Sequence, residues 1–91
     1  MTPQQIERAW KAIRRLRRQI NGIRSKQLVR LADSMGFQRV GRGDHPRFEK
    51  PGRRALIFPI HASRPLAPGT AREVLDFLEG ELLWEDGLHD G

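Results

Sequence analysis

The stretch ALIFPI, residues 55–60, does most to narrow what this chain can fold into. It is the most apolar run in the sequence, and it is short. Runs of this length bounded by turn residues read as buried strands. A lone strand is not stable in water, so the run calls for partners. We expect it to be the central strand of a sheet, spanning 54–60. Pro59 has no amide to donate, which places it near the strand end or on an unpaired side. Residues 37–40 and 45–50 supply two shorter strands. "GRGD" turns between them, and Pro51-Gly52 leads into the third strand.

Helical periodicity flanks the strands. Ile6, Trp10, Ile13, Leu16 and Ile20 recur at helical spacing over residues 3–20, with arginines on the other face. Leu28, Leu31, Ala32 and Met35 mark a second helix over 25–35. Ser25 is its expected N-cap and Gly36 its left-handed terminus. Thr70-x-x-Glu73 has the form of a capping box opening a last helix, with Val74, Leu75, Leu78 and Leu82 as its apolar stripe. The order predicts an α+β fold: α-β-β-β-α with a three-stranded antiparallel sheet, plus an extra N-terminal basic amphipathic helix. Two helices should cover one sheet face and leave the other open. The expected organisation is an extension over 1–22, a compact domain over 23–82 and a fraying acidic tail over 83–91.

Ninety-one residues allow one modest core, burying roughly 60–65% of the unfolded surface. With no cysteine, disulfides, thiolate chemistry and cysteine-bound metals are excluded. No run reaches the ~18 apolar residues of a membrane span. We expect a soluble, cytoplasmic protein with no membrane association. The apolar stripe of the first helix is too narrow to favour a membrane surface.

Charge is segregated. Residues 1–30 carry nine basic groups against Glu7 alone, a net +8, whereas 73–91 carry seven acids and no Lys or Arg. Overall charge is +6. A cationic surface of this kind concentrates polyanions, of which nucleic acid is the commonest. The 3–20 helix and the acidic segment 73–90 should also pack together, within one chain or across a homodimer, the rival being a basic helix that is a free RNA-binding arm. Their apolar residues would supply the contact, with Arg14, Arg15, Arg17 and Arg18 near Glu79, Glu81 and Glu85.

"GRGDHPRFEKPGRR", residues 41–54, holds the histidine of most interest. Strand alternation sets Pro46 and Phe48 on one face and His45, Arg47 and Glu49 on the other. If Phe48 enters the core, His45 faces solvent or ligand. Arg42, Arg47, Lys50, Arg53 and Arg54 surround it in sequence and are candidate RNA-binding groups. His61 follows the apolar run and is a further candidate contact. His89 lies in the tail, with no assigned role. Spacing alone favours a surface histidine in a hairpin. No zinc spacing, two-metal carboxylate set or phosphate-binding P-loop is evident, so no metal or cofactor is expected.

Four segments in order change that weighting. "SKQLVRLADSMGF", "GDH" followed by "RF", "PGRRALIFPIH" and "RPLAPGTAREVL" resemble the HicA-type toxins, the small ribonuclease partners of bacterial toxin–antitoxin pairs. The resemblance covers residues 24–80. It implies a fold like a double-stranded-RNA-binding domain, cleavage of mRNA without metal, and a HicB-type antitoxin as protein partner. It places the catalytic histidine at His45. Asp44 stands where serine is common in the family, and Pro46 where many members have a second histidine. A non-catalytic RNA-binding module of the same fold is the alternative. A DNA-binding repressor ranks third, since no recognition-helix arrangement is evident.

Overall fold

The computed structural model describes residues 1–43, 45–61 and 63–90, without the side chains of 89 and 90. Expectations for Asp44 and for the side chain of His89 lie outside the described residues. Three helices and three strands follow in the order α1 (Pro3–Arg18), α2 (Ser25–Ser34), β1 (Gln38–Val40), β2 (Arg47–Glu49), β3 (Leu56–Ile57) and α3 (Pro68–Asp90). The sheet is antiparallel in the order β1-β2-β3. The fold class is therefore α+β, with the helix–strands–helix order predicted.

The strand hierarchy differs from expectation. β2 is central, and the apolar run contributes only a two-residue edge strand. Leu56 and Phe58 are buried, whereas Ile57 is 55% exposed. The run is apolar because alternate side chains face the core, and its pairing stops before Pro59, which could not donate to the ladder. Phe58 stacks on Phe48 with ring centroids 5.1 Å apart. Burying one such ring contributes about 1.5–3 kcal/mol. That is enough to fix which way β2 faces.

α1 begins with a capping box. The Thr2 hydroxyl accepts from the Gln5 amide at 3.1 Å, and the Gln5 side chain accepts from the Thr2 amide at 2.8 Å. Ile6, Ala9, Ile13 and Leu16 form its buried stripe, while Trp10 and Ile20 pack at the margin. The helix ends at Arg18, two residues before the predicted end. In α2, Ser25 is the first helical residue, and Arg24 is the N-cap. The buried Ser25 hydroxyl instead joins α2 to the chain after β3: it donates to the His61 carbonyl at 3.0 Å and accepts from the His61 amide at 3.1 Å. The Leu66 amide donates to the Ile23 carbonyl at 2.8 Å, which fastens the following loop to the same junction. Gly36 takes the left-handed conformation predicted for it.

α3 runs from Pro68 to Asp90 without stopping at Trp84, so the expected fraying tail is helical. Thr70 lies inside the helix, so its capping box is not formed; the Ala71 amide donates to the Ala67 carbonyl, and Pro68 takes the first helical position. Ala71, Val74, Leu75, Leu78 and Leu82 are buried. α1 lies chiefly against α3, so the two oppositely charged segments pack within one chain. Of the expected ion pairs, Arg17 with Glu79 forms. Among the described residues, Arg17 is the one of the four named arginines that reaches the acidic helix, at 2.8 Å from Asp76 and 3.6 Å from Glu79. Glu81 and Glu85 turn the other way, toward the β2–β3 turn.

Candidate functional site

The β1–β2 connection, residues 41–46, presents the histidine. Gly41 and Gly43 both hold positive φ, 82° and 106°, and bracket Arg42. Side chains with a Cβ rarely adopt that backbone, so "GRG" permits the tight exit from β1. Beyond it, Pro46 and Phe48 are buried, and His45, Arg47 and Glu49 are exposed. The predicted alternation holds, although His45 and Pro46 precede the paired residues of β2 rather than lying within it. Among the described residues, Arg42 and His45 engage no side-chain partner.

Cross-strand pairing builds the open face. Gln38 pairs with Glu49, Val40 with Arg47, and Arg47 with Ile57. These five residues share one face of the sheet. Arg47 Nε donates to Glu49 Oε1 at 2.6 Å, and both side chains are about half exposed. A groove of about 400 Å³ runs from this face to the β2–β3 turn, reaching Lys50 and Arg53.

Lys50 and Arg53 are neutralised within the fold. Lys50 Nζ donates to Glu85 Oε1 at 2.6 Å, and Arg53 Nε to Glu81 Oε2 at 2.6 Å. Both carboxylates are about 95% buried. The N-terminal ammonium lies 3.5 Å from the other oxygen of Glu85. Burial pushes the Glu85 carboxyl up, but the hydrogen bond and charge of Lys50, with the N-terminal charge, outweigh it and hold the group below its ordinary value. The Arg53 guanidinium also lies 3.9 Å from the Trp84 ring centroid, and Arg54 lies 5.3 Å from that of Phe77.

His61 sits half-buried beside Arg24, Lys26 and Arg39, lining a groove of about 550 Å³ at the start of α2. Ser25 fixes its backbone, as described above. The sequence expectation missed this link and the Glu81 and Glu85 pairs. Two acids four residues apart on a helix share a face, but no sequence signal says which cations will meet them. Among the described residues, no group of three His, Asp or Glu side chains is arranged to hold a metal. No helix among them is long and apolar enough to cross a membrane.

A sequence model of the HicA toxin of bacterial toxin–antitoxin systems matches residues 25–78, from the start of α2 into α3. The hairpin with His45, the open sheet face and the β2–β3 turn all lie inside the match. α1 lies outside it. No curated protein and no solved structure matches the chain significantly.

Proposed function

Since the chain belongs to the HicA toxin family, we propose that it is an mRNA endoribonuclease whose general base is His45, acting without a metal ion. The observation that carries this reading is the orientation of residues 45–49. Burial of Pro46 and Phe48 turns His45 and Arg47 outward together, beside an exposed Arg42 that has no side-chain partner among the described residues, within the family match.

The chemistry needs few groups. His45 takes the proton from a ribose 2′-hydroxyl, and the 2′-oxygen attacks the adjacent phosphorus. The bond from phosphorus to the 5′-oxygen breaks, and the leaving oxygen takes a proton from water. The products are a 2′,3′-cyclic phosphate and a 5′-hydroxyl. An imidazole is chemically suited to that proton transfer. Arg42 and Arg47 supply positive charge for the crowded phosphorus. Arg54 and His61 serve as outlying RNA contacts in this scheme. Lys50 and Arg53, committed to α3, shape the turn rather than bind phosphate directly. An antitoxin protein would silence the site by covering the open face, where Val40 is 38% and Ile57 55% exposed beside the cations.

The test is cleavage of single-stranded RNA by the purified full chain in the presence of a chelator. The expected result is cyclic-phosphate ends, with His45→Ala slower by about 100-fold or more and its melt unchanged. A folded His45→Ala protein that cleaves at the original rate would remove the assignment. If the intact protein binds RNA without cutting it, the non-catalytic module is the correct reading.

A further inference from the structure

A second cationic surface joins α1, which lies outside the family match, to α2, which lies inside it. α1 and α2 enclose a groove of about 420 Å³. Its polar walls are Gln5, Arg8 and Arg15 from α1, with Gln27, Arg30 and Ser34 from α2. Ala9, Ala12, Leu16 and Leu31 form its floor. The three arginines are exposed, and among the described residues none has an ion-pair partner. The contrast with Arg17, on the same helix but pinned to Asp76, is direct.

We propose that this α1–α2 groove binds the sugar-phosphate backbone of an RNA strand, as a second contact separate from the His45 hairpin. RNA as the ligand rests on the function proposed above; the groove as a polyanion site rests on its own geometry. Three observations favour RNA over an acidic protein. First, the lining matches backbone recognition: arginines supply charge, while Gln and Ser side chains hydrogen-bond phosphate and sugar oxygens. Second, the floor offers no aromatic or large exposed apolar anchor of the kind that dominates protein interfaces. The exposed large apolar residues, Val40, Ile57, Leu83, Trp84 and Leu88, all lie elsewhere. Third, α1 is packed against the core. Ile6, Ile13 and Leu16 fix α1 in the core, so its arginines are presented at set spacing rather than on a free arm. Arg8 and Arg15 are seven residues apart, about 10 Å along the helix. That spans about three nucleotides at the 3.4 Å rise of a stacked strand.

The experiment measures fluorescence anisotropy of a labelled 20-nucleotide single-stranded RNA, over a range of salt. All proteins carry His45→Ala so that the probe stays intact. Adding Arg8→Gln, Arg15→Gln and Arg30→Gln together is expected to weaken binding by tenfold or more at low salt. The log–log salt slope should shrink by about 2, at about 0.7 for each phosphate that is no longer neutralised. An unchanged affinity and slope would overturn the proposal. In a second measurement on the His45→Ala chain with all its arginines in place, bound RNA should protect Arg8, Arg15 and Arg30 from phenylglyoxal. Modification at the free rate would overturn the proposal even if the triple variant fails to fold. Retained RNA binding by the variant, together with a weakened response to an acidic protein partner, would assign the groove to that partner instead. The cleavage test of His45 contains none of these substitutions, so either reading can fall while the other stands.

Discussion

Two turns of this small protein look alike in sequence and end up different. "GRGDHPR" and "KPGRR" are both basic, both contain glycine and proline, and both connect neighbouring strands. In the first, residues 41–46, Arg42 and His45 stand exposed with no side-chain partner among the described residues. In the second, Lys50 and Arg53 are held at 2.6 Å by Glu85 and Glu81. The difference comes from α3. Its apolar stripe docks on the core, and the next positions along the same face, 81 and 85, carry acids instead of leucines. A buried carboxylate without a partner is costly, so the turn that passes over α3 must supply cations. Among the described residues, Arg42 and His45 of the other turn meet no acid and remain available. A count of basic residues thus overstates the surface open to a polyanion, and the helical acids decide which cations are left.

The largest effect that would test this contrast is on stability. Arg53→Ala strands Glu81, which has no other partner among the described residues. Breaking a buried pair costs about 3–5 kcal/mol. Arg53 is 24% exposed, so the low end applies, about 3 kcal/mol. In a domain of this size that lowers the melting temperature by roughly 12–24 °C. Lys50→Ala should cost less, because Glu85 keeps the N-terminal ammonium. Arg42→Ala should leave the melt within a few degrees. Equal losses from Arg42 and Arg53 would mean that the two turns do not differ as described.

Acid should sharpen the same contrast. The Glu85 carboxyl is held below its ordinary value in the fold, and an unfolded glutamate titrates near 4.3. The unfolded chain therefore binds the proton more readily. The stability from this group is full above about pH 5 and is lost as the pH falls through the folded value. A thermal melt followed from pH 7 to pH 3 should show the decline, and Glu85→Gln should flatten part of it at the cost of lower stability at neutral pH. A Glu85→Gln protein with an undiminished acid slope would show that other carboxylates carry the effect.

Sequence patterning conveyed much of the fold and less of the site. Three helices and three antiparallel strands followed from periodicity and turn residues, because burying Leu28, Phe48 or Leu75 outweighs any competing local preference. The facing of residues 45–49 was readable for the same reason: Phe48 had one place to go. The partners of Glu81 and Glu85 were not readable. Opposite charges attract at any pairing, so only the docking angle of α3 selects Lys50 and Arg53 over Arg14, Arg15 and Arg18. The 55–60 run is not central, because hydrophobicity records burial, not position in the sheet. Ser25 has the residue type of a helix cap, but its hydroxyl is taken by the His61 backbone, a partner 36 residues away that no local rule could find.

The smallest expected effect concerns the Arg47–Glu49 ion pair on the open face itself. Arg47 and Glu49 are two residues apart on β2, and their 2.6 Å contact is half exposed. Such pairs contribute about 0.2–1 kcal/mol, well below the buried pairs of the other turn. Glu49→Gln should therefore move the melting temperature by no more than a few degrees. It should also remove a negative charge from the face that would meet RNA and release the Arg47 guanidinium. RNA affinity at low salt should rise by a few-fold, and the salt slope should steepen by at most about 0.7, the value for one phosphate on a single strand. Arg47→Gln should do the reverse. If Glu49→Gln instead weakens RNA binding as much as Arg47→Gln does, the carboxylate is aiming the guanidinium. Arg47 would then be a held group like Arg53, differing only in which way it is held.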